Sequence, residues 1–168
     1  MSINLSGYRI SLLAIVLCCF ISCKKNDNNL EKTTIYFGGI TSTDIQGVAI
    51  TTDSTDWNIF DTWNNKENDL FSKHYQTDCQ PVLNYKIDLF PNPNKRVFSL
   101  LLDMPDDARL DFRMVDRFYN LLVSKDSIES KYINFDFQNL VPKDTVRMYY
   151  RFVQSGCEFR GHGDIIFQ

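Results

Sequence analysis

The chain begins with a dense apolar run, passes through a wholly polar stretch and then settles into short alternations. Residues 10–21 (ISLLAIVLCCFI) contain Ser11 as their only polar member, and 24–29 (KKNDNN) contain no apolar residue. The apolar run falls short of the roughly 20 residues that span a bilayer and has the length of an export-signal core. A buried helix is the competing reading, but a polar run directly afterwards suits an exported stalk better. Residues 1–22 therefore read as a signal peptide, and 23–32 (CKKNDNNLEK), which lack apolar periodicity, as a flexible tether. A single domain over 33–168 follows, divided into 33–81 and 82–168.

Within 33–81 the pattern predicts a strand at 33–37 (TTIYF), closed by Gly38-Gly39, and a second at 47–52. Trp63, Glu67, Leu70, Phe71 and His74 fall at helical offsets, which predicts a short helix over 62–73 with Asp61 or Thr62 as its cap. Residues 75–81 read as a loop carrying Cys79. In 82–168 the period changes to two. Strands are predicted at 82–90, 97–103, 110–116, 119–124, 132–138, around 146–152, and at 158–167. Leu110, Phe112 and Met114 share one face; Ile133, Phe135 and Phe137 oppose Asn134 and Asp136; Val146, Met148, Tyr150 and Phe152 oppose Arg147, Tyr149 and Arg151. Turn-rich spacers such as Pro91-Asn92-Pro93-Asn94, Met104-Pro105-Asp106-Asp107 and Pro142-Lys143-Asp144 separate several of them. Short alternating strands at this spacing predict a mainly β fold, an antiparallel β-sandwich with one short helix.

Composition agrees with this reading. With 168 residues there is room for one sizeable core, and 13 Phe and 8 Tyr favour β structure. The net charge of −3 offers no basic footprint for nucleic acid. Five cysteines are an odd number, which in an exported chain calls for an explanation. Phe20-Ile21-Ser22-Cys23 resembles the lipobox of bacterial lipoproteins, placed where the apolar run ends. The resemblance implies cleavage before Cys23 and lipid on Cys23, with membrane attachment through that lipid; several acyl chains meet the need for more than one in stable anchoring. Cys18 and Cys19 then leave with the signal, and Cys79 and Cys157 remain. Outside the cytoplasm these two can form a persistent disulfide, or stay as separate thiols if the fold keeps them apart.

Leu89-Phe90-Pro91-Asn92-Pro93 followed by Phe98-Ser99-Leu100 resembles the opening of the Ig-like C-terminal sorting domain of type IX secretion cargo. Two prolines fix φ and remove two donors, so strands cannot pair across them. The similarity implies an Ig-like sandwich for 82–168 and a Bacteroidota-type outer-membrane lipoprotein, on either the periplasmic or the outer side.

Candidate chemistry is sparse. The histidines are His74 and His162, and no G-x-S-x-G elbow accompanies them. His74 lies five positions before Cys79, but reads better as a surface residue at a helix end. Gly161-His162-Gly163-Asp164 has the composition of a turn or bulge. Asp53, Asp56, Asn58 and Asp61 are hard oxygen donors without calcium-loop spacing, and no zinc motif is present, so no metal is predicted. Asp106 and Asp107 belong to a Pro-Asp turn. No cofactor fingerprint is present.

The strongest binding candidate is 57–63 (WNIFDTW), which contains both tryptophans. Trp57 and Trp63 beside Asn58 and Asp61 suit a sugar, whose apolar face stacks while polar groups fix its orientation. The alternative is that Trp63 and Phe60 pin the short helix to the sandwich. The sequence thus points to a non-catalytic binding or accessory subunit of an outer-membrane assembly with an envelope protein partner, or to a carbohydrate-binding surface lipoprotein.

Overall fold

The computed structural model describes residues 34–59, 61–80, 85–138 and 144–168. The expected signal peptide and tether, with Cys23, and Phe60 lie outside the described residues, as do 82–84 and Pro142-Lys143. The strands are β1 Ser42–Thr43, β2 Ala49–Thr51, β3 Lys86–Phe90, β4 Val97–Asp103, β5 Arg109–Val115, β6 Leu121–Ile128, β7 Tyr132–Asp136, β8 Thr145–Gln154 and β9 Cys157–Ile166. Among the described residues one short helix, α1, spans Asn65–Asn68. The fold is mainly β and its strand pairs are antiparallel.

Two larger sheets carry the structure, one in the order β3-β4-β7 and one in the order β6-β5-β8-β9. Alternation explains how they meet. Ile87, Leu89, Phe98, Leu100, Leu102 and Phe135 from the first sheet share one buried cluster with Leu110, Phe112, Met114, Val146, Met148, Phe152 and Ile165 from the second. Because strand side chains alternate between faces, each sheet contributes one apolar face, an arrangement compatible with a β-sandwich. The chain changes sheet after β4, after β6 and after β7. β8 and β9 pair without interruption from Thr145–Ile166 to Gln154–Cys157.

The other face of the four-stranded sheet is also covered. Ile35, Trp63 and Phe71 pack there on Val115 and Tyr149 in a second buried cluster. Parts of 34–59 and 61–80 thus form a mostly irregular layer over β5, β8 and β9, linked to the sheet by individual bonds such as Ile35 N–H to the Arg117 carbonyl (2.8 Å) and Glu158 N–H to the Gln76 carbonyl (2.8 Å).

Several expected elements differ. Residues 34–37 are not a strand, since Ile35 serves as a single apolar plug. The expected helix over 62–73 contracts to Asn65–Asn68, capped by Asn64 and not by Asp61 or Thr62. Asn64 and Glu67 exchange side-chain and backbone bonds (3.2 and 2.7 Å) in a capping box. Asn and Asp compete with a helical backbone, and Trp63 stacks on Phe71 (centroids 5.1 Å apart), which bends the intervening chain. Side chains then take the carbonyls that a longer helix would use: Arg113 Nε donates to Leu70 (3.0 Å) and Arg151 Nη1 to Lys73. The strand expected at 119–124 runs instead as β6, beyond a turn in which Tyr119 has φ 63°.

Gly161-His162-Gly163-Asp164 is neither turn nor bulge but lies mid-strand in β9, in register with Arg147–Tyr150. A Cβ at Gly161 would meet the Asn58 carbonyl oxygen at 1.9 Å, and one at Gly163 the Trp57 ring at 2.3 Å. Close approach of another segment is the recurrent reason for glycine inside a strand. The Pro-Asn-Pro segment does act as a turn between β3 and β4, and its Asn92 is buried. Asn92 Nδ2 donates to the carbonyls of Thr41 (2.8 Å) and Asp164 (2.9 Å), and its Oδ1 accepts from Ile166 N–H (2.9 Å).

Candidate functional site

On the covered face of the four-stranded sheet, alternation aligns polar side chains in rungs across the strands. Register places Asp111, Arg151 and Arg160 on one rung, Arg113, Tyr149 and His162 on the next, and Val115, Arg147 and Asp164 on a third. Arg151, only 3% exposed, bonds Asp111 (3.0 Å) on one side and Glu158 (2.8 Å) on the other. Glu158 also accepts from Arg160. Arg147 makes a two-pronged bond to Asp164 (2.7 Å each), and Arg113 one to Asp126 (2.7 and 3.1 Å). Buried charges require this density of partners, because an unpaired one carries a large desolvation penalty.

Aromatic rings of the covering layer seat on these cations. Phe71 lies between two guanidiniums, Arg113 at 4.6 Å and Arg151 at 4.5 Å from its centroid, and Arg160 lies 5.0 Å from Trp63. Such contacts gain when desolvated, about 2 kcal/mol in favourable cases. Glu67 of the capping box accepts from the Tyr149 hydroxyl (2.9 Å). Burial, with Tyr119 and Glu67 alongside, pushes the Tyr149 phenol well above its usual value, so it remains a neutral donor.

Beside this lattice a cavity of about 250 Å³ is lined by Asp61, Trp63, Thr77, Cys79, Glu158 and Arg160 among others. Asp61 pairs with His162 Nδ1 in its wall. The Trp63 indole Nε1 is buried and has no hydrogen-bond partner among the described residues. Cys79 is bonded to Cys157 with Cα atoms 6.1 Å apart, so the covering segment is joined covalently to the start of β9. The arrangement offers a small polar recess with one apolar wall and both charge signs.

The four residues singled out in 57–63 divide between locations. Trp63 is buried in the second cluster. Trp57 is half-buried, stacks on Tyr150 (5.9 Å) and packs against the main core over Gly163. The two indoles therefore form no shared exposed face. The alternative role, Trp63 as a pin for the helical segment, is the one its packing on Phe71 and Tyr149 matches. Asp61 joins Trp63 at the cavity. Asn58 is exposed, and its carbonyl accepts from the Tyr150 hydroxyl (3.1 Å). His74 is exposed, as expected, but lies beyond the helix.

Among the acids considered as calcium donors, Asp56 is buried. Its oxygens accept from the N–H groups of Thr41 and Asp164 (2.8 Å each), and burial pushes its carboxyl up to about 6. Asp53 accepts from Thr55 N–H (2.8 Å) in its own loop. No group of three or more His, Cys, Asp or Glu suited to a metal occurs among the described residues.

Glu158, Arg160 and Arg151 were not singled out from sequence. Charged residues alternating with apolar ones give the signal of a solvated strand face, and nothing local reveals a covering layer supplied from residues 34–80. No protein-family model, characterised protein sequence or solved structure matches the chain.

Proposed function

We propose that the chain is a lipid-anchored cell-envelope protein whose Ig-like sandwich serves as a non-catalytic binding or accessory subunit of an outer-membrane assembly. The observation that carries this reading is the Cys79–Cys157 disulfide. Disulfides persist in oxidising compartments, outside the cytosol. With Cys18 and Cys19 in the signal segment, the pairing leaves Cys23 of the lipobox as the remaining cysteine, the one that receives lipid. The extensively paired charge lattice supports a structural role for its ionisable groups, since each is held by a neighbour.

The test has two stages. Cell fractionation should recover the protein with the outer membrane, and Cys23→Ala should release it; a soluble wild-type protein sinks the anchoring claim. Affinity purification from detergent-solubilised membranes should then bring down a stoichiometric envelope partner, and a reproducibly solitary protein counts against the accessory role.

A second reading, carbohydrate binding, is favoured by the cavity that Asp61, Trp63, Glu158 and Arg160 line together. It shifts the binding role from Trp57 to Glu158 and Arg160. Titration with a glycan panel should change intrinsic tryptophan fluorescence, and a flat response across the panel removes this reading.

A further inference from the structure

A second cavity, of about 290 Å³, opens on the same sheet where Lys73 and Tyr75 of the covering segment meet Arg109 of β5 and Ser127 of β6. Arg113 and Arg151, 7% and 3% exposed, form its inner wall, with Asp111 and Asp126 beside them. Both acids are already engaged. Asp126 holds the Arg113 guanidinium, and Asp111 holds Arg151 and accepts from the N–H of Ser127 (2.8 Å).

Lys73 and Arg109 differ from the inner pair, having no carboxylate partner among the described residues. Arg109 Nη2 donates to the Tyr75 hydroxyl (2.7 Å), while the Lys73 ammonium lies 4.7 Å from the centroid of the same ring. Two cations from separate elements thus converge on one neutral phenol, one at its oxygen and one over its ring, in a chain that is acidic overall. Partial desolvation of Tyr75 acts to raise its phenol, yet the neighbouring Lys73 and Arg109 cations outweigh it and hold the phenol below its usual value. Negative charge is therefore favoured at this point.

We propose that this cavity binds the phosphate group of a ligand, with Lys73 and Arg109 as its cationic contacts and Ser72 and Ser127 within the same wall. A planar carboxylate is best met by one guanidinium fork, and the forks of Arg113 and Arg151 are already filled by Asp126, Asp111 and Glu158. The remaining donors come from separate elements, which suits a tetrahedral group. The cavity is large enough for a phosphate together with part of its carrier.

Isothermal titration of the full chain in detergent with inorganic phosphate, against sodium chloride at matched ionic strength, tests the proposal. The wild type should bind phosphate, and the double variant K73Q/R109Q should bind at least tenfold more weakly while keeping the wild-type melting temperature within a few degrees. Tyr75→Phe frees the Arg109 guanidinium from the phenol oxygen and should keep or tighten phosphate affinity. The proposal is overturned if phosphate gives no heat beyond chloride, if the double variant binds as well as the wild type, or if Tyr75→Phe loses affinity as the double variant does. Glucose 1-phosphate and phosphatidylglycerol vesicles, each competed with inorganic phosphate, distinguish a soluble ester from a lipid headgroup; if neither is displaced, the phosphate assignment fails.

Discussion

Asn92 shows how much one side chain can hold. Its amide closes three backbone groups from two distant segments: the carbonyls of Thr41 and Asp164 and the N–H of Ile166. Asn92→Ala leaves these groups with their bonds broken in a site that is 1% exposed, at about 1–3 kcal/mol for each group left unsatisfied. We expect a loss of roughly 2–4 kcal/mol after partial rescue by water, read as a lower urea midpoint with an unchanged slope. Asp56 acts in a pH-dependent way. Burial raises its folded pKa to about 6 from the 3.8 of an exposed carboxyl, so between these values the folded state keeps a proton that the unfolded chain releases. Its contribution is therefore fully present below about pH 4 and is lost as pH rises through 6. Asp56→Asn should remove this fall, so the stability difference between variant and wild type grows in the variant's favour from pH 4 to pH 7.

At the scale of elements, legibility followed one-sided burial. β4 matched its expected limits because alternation along VFSLLLD coincides with one face in the core and one in solvent. The helix expected over 62–73 is shorter because the spacing of Trp63, Glu67, Leu70 and Phe71 also suits a capped turn whose aromatics fold together. Gly161 and Gly163 carry a turn-like composition for a reason that local sequence does not contain: Trp57 and Asn58, about a hundred residues away, lie against β9. The cysteine pairing was open for a related reason: sequence spacing does not show whether two Cα atoms approach within bonding reach. That bridge closes a separation of 78 residues, for which the chain-entropy model gives roughly 4–5 kcal/mol. Replacing both cysteines by serine should lower the unfolding free energy by an amount of this order, measured by denaturant melts without reductant.

For the whole molecule, the four-stranded sheet has two cores of different kinds. One is the apolar cluster shared with β3, β4 and β7; the other is a lattice of arginines, carboxylates and rings beneath residues 34–80. The covering layer is fixed to the sheet by side chains more than by backbone ladders. Removing one member of the lattice is costly for this reason. Arg151→Met removes the cation paired with buried Asp111 and one of the two that hold Glu158, and breaking a buried pair in this way typically costs about 3–5 kcal/mol. Thermal melts should show a large drop for Arg151→Met and a small one for the exposed Lys86→Met, whose partner Asp88 is partly in water.

The bridge between the covering layer and β9 also changes how the molecule bears tension. Pulled between residue 34 and the C-terminus, the oxidised chain can pay out only 34–79 and 157–168, a contour of roughly 190 Å, whereas the reduced chain can extend to roughly 450 Å. The strands from β3 to β8 all lie inside the closed loop. A load applied at the N-terminal side can therefore peel away the cover and β9 while the intervening sequence remains short-circuited by a covalent bond. Force spectroscopy with and without reductant would read this difference directly as a change in extension at full unfolding.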